Sequence, residues 1–440
     1  MATTEQLTGW GLVPRPGSEV RSEDLEAITR DAVLSRGLGR SYGDSSLPAA
    51  GERVAGTTLA DRILGFDEET GLLHAEAGLS LGEINRLFWP RLWTCPVLPG
   101  TQQVTLGGMV AADVHGKNHH VHGTLGRHVE RLRMRVADGR VLTTSREEEP
   151  ELFRATLGGM GLTGHILEVA LRLQPITSPW IWSESERIAG VDDFVAALRD
   201  AATDWPFTVG WFDALATGAG LGRGILLRGR WATSAEAPDE PPAPKRRFEV
   251  PFTLPSWTLN RLSMWAFNQF YFRKHPKRVK RGITHPESFF HPLDVVRHWN
   301  RIYGRRGFTQ HQCVLPEGDR PGAARRLLEE LTRRGGLSFL CVIKDCGPEG
   351  EGVLSFPRPG ISIAIDLPAG PGIQELIDGL NERVLEEGGR IYLAKDTFTR
   401  SEHFRAMEPR LDTFDTVRRQ WDPQRRLSSA QSVRLLGDDA

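Results

Sequence analysis

His115, Lys117, Asn118, His119 and His120 crowd together directly after a glycine-rich run that begins at Val97. An imidazole and an ammonium at that spacing can accept a proton and hold an anion. The glycines ahead of them, Gly100, Gly107 and Gly108, let the backbone approach a flat or phosphate-bearing ligand closely. A second segment, Arg36-Gly-Leu-Gly-Arg-Ser-Tyr-Gly-Asp44, follows a short strand. Backbone N–H groups in such a loop form a nest for a diphosphate, and the two arginines balance its charge. Its glycines are spaced G-x-G-x-x-x-G and no helix-forming run follows, so it is a poor dinucleotide fingerprint. A third segment, Gly158–Gly164, matches G-x-G-x-x-G literally. There a helix precedes and the strand His165–Leu173 follows, the reverse of a βα turn. A nucleotide-binding βαβ unit is thereby rejected, while a ligand contact from this loop is expected.

The chain that must position these groups has 440 residues, enough for two or three domains. Its 39% hydrophobic and 25% charged content is that of a soluble globular protein. Fifty-five basic residues against fifty-six acidic ones offer no global attraction to nucleic acid, and no nucleic-acid partner is expected. The first residues, MATTEQLTGWGL, lack the basic and apolar regions of a secretory signal. No apolar run reaches the ~18 residues of a membrane span. A cytoplasmic or membrane-peripheral location is therefore expected. Cys95, Cys313, Cys341 and Cys346 are too scattered for a disulfide framework. Cys341 and Cys346 read either as half a metal site or, alternating with Phe339 and Ile343, as strand core; the second reading is preferred and no metal is expected.

Ser22 is the expected N-cap of a short helix reaching about Asp31, followed by a strand at 32–35. Strands are expected at 63–66 and 72–76, and Ser80-Leu-Gly-Glu83 is a capping box opening a helix that Pro90 ends. Leu132, Met134 and Val136 alternate into an Asp138-Gly139 turn, which reads as a hairpin. From about 178 the chain becomes tryptophan-rich, and 236–247 is a Pro-rich, charged excursion. The stretch 257–281 carries Trp257, Leu262, Trp265, Phe267 and Phe270, then six Lys/Arg from Arg273 to Arg281. Two readings stand side by side: a peripheral membrane-surface contact, or a buried helix followed by a solvated basic loop. Beyond residue 308 the order is β-α-β-β-α-β, an antiparallel sheet with helices on one face.

Taken together, RGLGRSYGD, VLPGTQQVTLGGMVAADVHGKNHH, LGGMGLTG, FFHPLD, GFTQHQCVLP, SFLCVIKDCG, LSFPRPG and RIYLAKD resemble the decaprenylphosphoryl-β-D-ribose 2-oxidase family, in order and over nearly the whole chain. That family is a branch of the FAD-linked oxidases with the vanillyl-alcohol-oxidase (PCMH-type) fold. The resemblance implies an α+β, two-domain flavoenzyme. Residues 1–178 and 390–440 would form the FAD-binding domain, with an antiparallel-sheet substrate domain, 179–389, inserted between them.

The resemblance also assigns residues. Ser35, Arg36, Gly37, Leu38, Gly39, Arg40, Ser41, Tyr42, Gly43, Asp44 and Ser45 match the diphosphate loop. Gly100, Thr105, Leu106, Gly107, Gly108 and His115 match a second FAD segment, and Ile166 and Tyr392 match later contacts. Arg40 stands where many relatives attach flavin through a histidine, which implies non-covalent FAD. Lys395 matches the catalytic position, where a fixed cation stabilises charge developing on the flavin. Either His115 or a desolvated Lys395 could accept the proton of the reacting hydroxyl. Tyr42, Lys117, Gln310, Gln312, Lys344 and Lys395 match the substrate side. The implied reaction oxidises the 2′-hydroxyl of a polyprenylphosphoryl ribose to a 2′-keto sugar. An NAD(P)H-dependent short-chain reductase partner would complete epimerisation to the arabinose, for cell-wall arabinan. An oxidase of a soluble sugar or alditol, or a flavin-binding scaffold without turnover, are the alternatives. Three positions depart from the family: Ser362, Ala364 where a cysteine is usual, and Phe290 where a tyrosine is usual.

Overall fold

The computed structural model describes residues 5–277, 279–316 and 321–439; Arg278, in the basic stretch, lies outside them. The first sheet has the strand order Glu5–Thr8, Pro14–Arg21, Arg53–Gly56, Leu34–Arg36. Leu34–Arg36 and Arg53–Gly56 pair in parallel, with Arg36 opposite Gly56. A parallel pair needs a crossover, so the glycine loop that follows Arg36 leaves the end of a parallel edge strand.

The second sheet is antiparallel, in the order Ile63–Asp67, Leu72–Glu76, His165–Arg172, Val129–Arg135, Val141–Ser145. Leu132 and Met134 point into the core, and Gly139 takes φ +94° in the expected hairpin turn. Ser80 caps the helix Leu81–Phe88, its Oγ accepting from Glu83 N at 3.2 Å. The other expected cap is displaced. Asp24, not Ser22, caps Leu25–Ile28, accepting from Ala27 N at 2.9 Å, while Ser22 Oγ accepts from Asp24 N. A carboxylate two residues nearer the helix displaces the hydroxyl.

The third sheet has eight strands: Lys280–Thr284, Ile181–Ile188, Gly224–Trp231, Phe207–Phe212, Cys341–Cys346, Gly360–Pro368, Phe308–Leu315 and Arg390–Ile391. Its two faces differ because side chains alternate. On Phe308–Leu315, His311 and Cys313 face the covering helices, and His311 Nε2 donates to Asn381 Oδ1 at 3.0 Å. Helices Val191–Asp204, Ala323–Arg333 and Ile373–Glu386 bury Phe194, Leu327, Leu331 and Leu380 completely against that face. Gln310 and Gln312 point the other way, toward a cavity. All four cysteines are buried and unpaired.

The aromatic stretch forms the helix Arg261–Lys274, and it is not a buried helix. Only Met264 and Asn268 are buried, whereas Leu262, Trp265 and Phe270 are exposed.

Candidate active site

One cavity of about 630 Å³ collects groups from all three sheets. Ser35, Gly37, Leu38, Gly39, Arg40, Ser41, Tyr42 and Ser45 line one part. Gly100, Thr105, Gly107, Gly108, His115, Ile166 and Tyr392 line the middle, and Lys117, Gln310, Gln312, Lys344 and Lys395 line the far side. The third glycine segment contributes Met160, Gly161 and Gly164. Arg36, Gly43, Asp44 and Leu106 contribute no surface to it and serve the framework instead. Arg36 donates to Thr8 O at 2.7 Å and pairs with Glu19 at 3.4 Å. Leu106 is fully buried beneath the loop.

The glycine loop fits a diphosphate. Among the described residues, the backbone amides of Leu38, Gly39, Arg40 and Ser41 donate to no protein acceptor, although polar backbone left without water is ordinarily paired. Gly39 takes φ +63°, which turns the loop. Gly100 and Gly161 have open space where a Cβ would stand, so a flat ring system can lie against the backbone there. The residues present therefore suit FAD.

Two side chains from distant segments fix the far side. Tyr42 N donates to Ala394 O at 2.9 Å, which joins the glycine loop to the turn bearing Lys395. A Cβ on Gly43 would stand 1.7 Å from Asp396 O, so only glycine permits that approach. Arg434, on the last helix, pairs with Asp44 at 2.7 Å and Asp396 at 2.9 Å. Lys395 Nζ sits 3.8 Å above the Tyr42 ring. Burial drives the Lys395 ammonium well below the usual lysine range; the Asp366 carboxylate acts in the opposite direction and Lys344 reinforces the fall.

Asp366 was not legible as a site residue. It is completely buried and accepts from Gln310 Nε2 and, at 3.3 Å, from Tyr303 OH. Burial raises its carboxyl above the usual range, opposed by these hydrogen bonds and by Lys395. A signal existed: Ser362, Ala364 and Asp366 alternate on one face of an otherwise apolar strand, and a carboxylate there must have a partner.

His115 is held neutral by burial, with Lys344 and His119 adding to the effect. Gln312 Nε2 donates to His115 Nε2 at 3.1 Å and to Ser362 Oγ at 3.2 Å. That places the imidazole proton on Nδ1, which has no protein partner. Lys117 Nζ donates to Phe290 O at 2.8 Å, and burial followed by Lys344 pushes it down to about 7. Lys344 is likewise lowered by burial. The departures now separate. Ala364 lines the cavity and Ser362 orients Gln312. The Phe290 ring packs instead among Phe207, Phe289 and Trp231, while its carbonyl holds Lys117.

Residues 24–145 match the FAD binding domain family. With the free-amide loop and the buried lysine that the cavity brings together, the chain is an FAD-dependent oxidoreductase of α+β fold. A decaprenylphosphoryl-β-D-ribose oxidase of Mycolicibacterium smegmatis is 35% identical over 98% of each chain. This chain belongs to that family. An uncharacterised protein of Streptomyces coelicolor is 32% identical over 81% of this chain and 100% of its own. More remotely, an L-gulono-1,4-lactone dehydrogenase of Mycobacterium tuberculosis is 22% identical over 98% of this chain.

Proposed function

We propose that this protein oxidises the 2′-hydroxyl of a polyprenylphosphoryl-β-D-ribose to the 2′-keto sugar. The observation that carries the reading is the convergence of three lysines, Lys117, Lys344 and Lys395, on one cavity beside the FAD loop. Buried lysines are rare unless paired. An anionic sugar phosphate is a ligand that satisfies Lys117 and Lys344 together, leaving Lys395 for the reacting hydroxyl.

FAD, held by the loop 35–45 and the segment 100–108, supplies the two-electron acceptor for the hydride that leaves the sugar carbon. Lys395, in its neutral form, takes the hydroxyl proton: the O–H bond breaks, an Nζ–H bond forms, and the carbonyl is left on the sugar. Once protonated, the ammonium is steadied by the Tyr42 ring and by the Asp366 charge. His115 is the weaker candidate for this step, because its Nε2 lone pair is already engaged by Gln312. It orients Gln312 toward the sugar instead. Trp211, Phe267 and Tyr271 give the cavity an aromatic wall.

The same reading divides the chain into an FAD-binding part, 1–178 with 390–440, and a substrate part, 179–389. It makes the keto sugar the substrate of an NAD(P)H-dependent short-chain reductase. It also places the working protein at a membrane surface, because its substrate is lipid-linked; no helix among the described residues is long and apolar enough to cross a membrane.

An anaerobic absorbance titration tests the reading. A yellow protein bleached by a prenylphosphoryl ribose, and not by free ribose or alditols, is the expected result. Bleaching by soluble sugars alone would transfer the assignment to a soluble-sugar oxidase. No bleaching by any sugar would leave a flavin-binding scaffold.

A further inference from the structure

Thirteen large hydrophobic side chains are exposed among the described residues, and seven of them fall between Phe248 and Phe270. Trp257 is 76% exposed, Leu262 72%, and Phe252 and Phe270 63% each. Apolar groups this concentrated are unusual on a surface facing only water.

The helix Arg261–Lys274 shows how the patch is held. Its buried side is pinned by polar hooks: Asn268 Nδ2 donates to Asp213 Oδ1 at 2.8 Å and to Ser338 O at 3.2 Å. Phe272 lies under the guanidinium groups of Arg187 and Arg223, at 4.9 and 4.7 Å. The outward stripe, where a water-facing helix would be polar, carries Leu262, Trp265 and Phe270. Arg273 ends the stripe, three turns on from Leu262.

Charge supplies the second observation. Residues 245–281 contain ten Lys/Arg and one acid, Glu249, in a chain whose net charge is −1. Arg281 is engaged by Glu184 at 2.6 Å; Arg261, Arg273, Lys274, Lys277 and Lys280 are exposed around the aromatic groups. Aromatic and leucine side chains ringed by cations suit the boundary between anionic headgroups and acyl chains.

The helix also has an inner side. Phe267 and Tyr271 line the cavity, Phe267 against Phe339 at 5.4 Å and Tyr271 against Trp211 at 4.6 Å. One helix therefore separates the exposed apolar patch from the cavity that holds the lysines.

We propose that the face from Phe248 to Lys280 docks on an anionic lipid leaflet, and that the helix Arg261–Lys274 is the wall past which a lipid-linked substrate passes from leaflet to cavity. The passage rests on the lipid-linked reading given above; the docking does not. The leaflet is favoured over a protein partner because the five exposed cations beside these aromatic groups match a continuous sheet of anionic headgroups.

Co-sedimentation of the full-length, FAD-loaded protein with vesicles tests the docking. Vesicles containing phosphatidylglycerol should bind it, pure phosphatidylcholine vesicles should bind it weakly, and added salt should release it. The double variant Trp265→Glu/Phe270→Glu should bind at least about tenfold less, as should Lys274→Glu/Lys277→Glu. Both should keep the flavin spectrum and the rate of flavin reduction by a short-chain, soluble prenylphosphoryl ribose. Equal vesicle binding by wild type and variants would overturn the proposal. So would a loss of self-association in the variants with vesicle binding unchanged, because the patch would then be an interface between copies. Failure of the soluble substrate to bleach any form, with docking intact, would count against the enzymatic reading alone.

Discussion

In the proposed reaction Lys395 takes the hydroxyl proton, and its surroundings define what removing it does. Lys395→Ala should keep FAD, because the segments proposed to hold the cofactor, the glycine loop and residues 100–108, do not include it. Flavin reduction by substrate should fall by about 10²–10⁴-fold, the usual contribution of a positioned base. Stopped-flow absorbance checks both statements, and an unchanged reduction rate would remove Lys395 from its role. Asp366 gives a second prediction with a definite sign. Its negative charge favours the protonated lysine, so it raises the Lys395 pKa against the depression caused by burial. Asp366→Asn keeps the shape and removes the charge. The neutral lysine should then be populated from lower pH, and the rising limb of the reduction rate should move to lower pH. An unmoved limb would mean that Asp366 acts only by packing, and a shift to higher pH would contradict its assigned electrostatic effect. Lys395, Lys117 and the glutamines were legible because a recognisable motif surrounds each. Asp366 was not, because its meaning comes from Gln310, 56 residues away in sequence and opposite it across two strands.

At the scale of elements, the active site depends on a clamp between segments that are remote in the chain. The glycine loop and the Lys395 turn meet at the Gly43–Asp396 contact, and the helix Ala430–Leu436 locks them through Arg434. Asp44 and Asp396 are nearly shut off from solvent, so deleting Arg434 leaves Asp396 without its cation and Asp44 with only the more distant Arg15, at 3.9 Å. Arg434→Ala should destabilise the protein by about 3–5 kcal/mol, read as a lower urea midpoint, and should weaken FAD retention as the loop loses its anchor. Unaltered FAD affinity in a destabilised variant would confine Arg434 to a purely structural role. Periodicity revealed the β-α-β-β-α-β order and the hairpin at Asp138-Gly139, because alternation and turn residues are local signals. It left Arg261–Lys274 open between a buried helix and a surface contact. The same apolar residues that mark a buried helix in most chains here face outward, and sequence spacing records which residues share a face, not what that face meets.

For the molecule as a whole, the cavity is where the three sheets come together, with Ser35 from the first, Ile166 from the second and Gln310 from the third. A cofactor filling that junction touches every layer, so its binding energy should act on the stability of the whole fold. If the native state alone binds FAD, free cofactor at about a hundred times its Kd adds about 2.7 kcal/mol. The thermal midpoint should rise accordingly with FAD concentration. This dependence requires a dissociable flavin, and the residue at the attachment position supports one. The Arg40 guanidinium lies 3.9 Å over the Trp10 ring and, remaining protonated, offers no nucleophilic lone pair for a bond to the isoalloxazine. Acid-precipitated protein should therefore leave all of its yellow colour in the supernatant, and a denaturing gel should show no flavin fluorescence at the protein band. Colour retained in the pellet would mean that another side chain forms the bond. The midpoint would then be independent of added FAD, and the junction would be held covalently rather than by mass action.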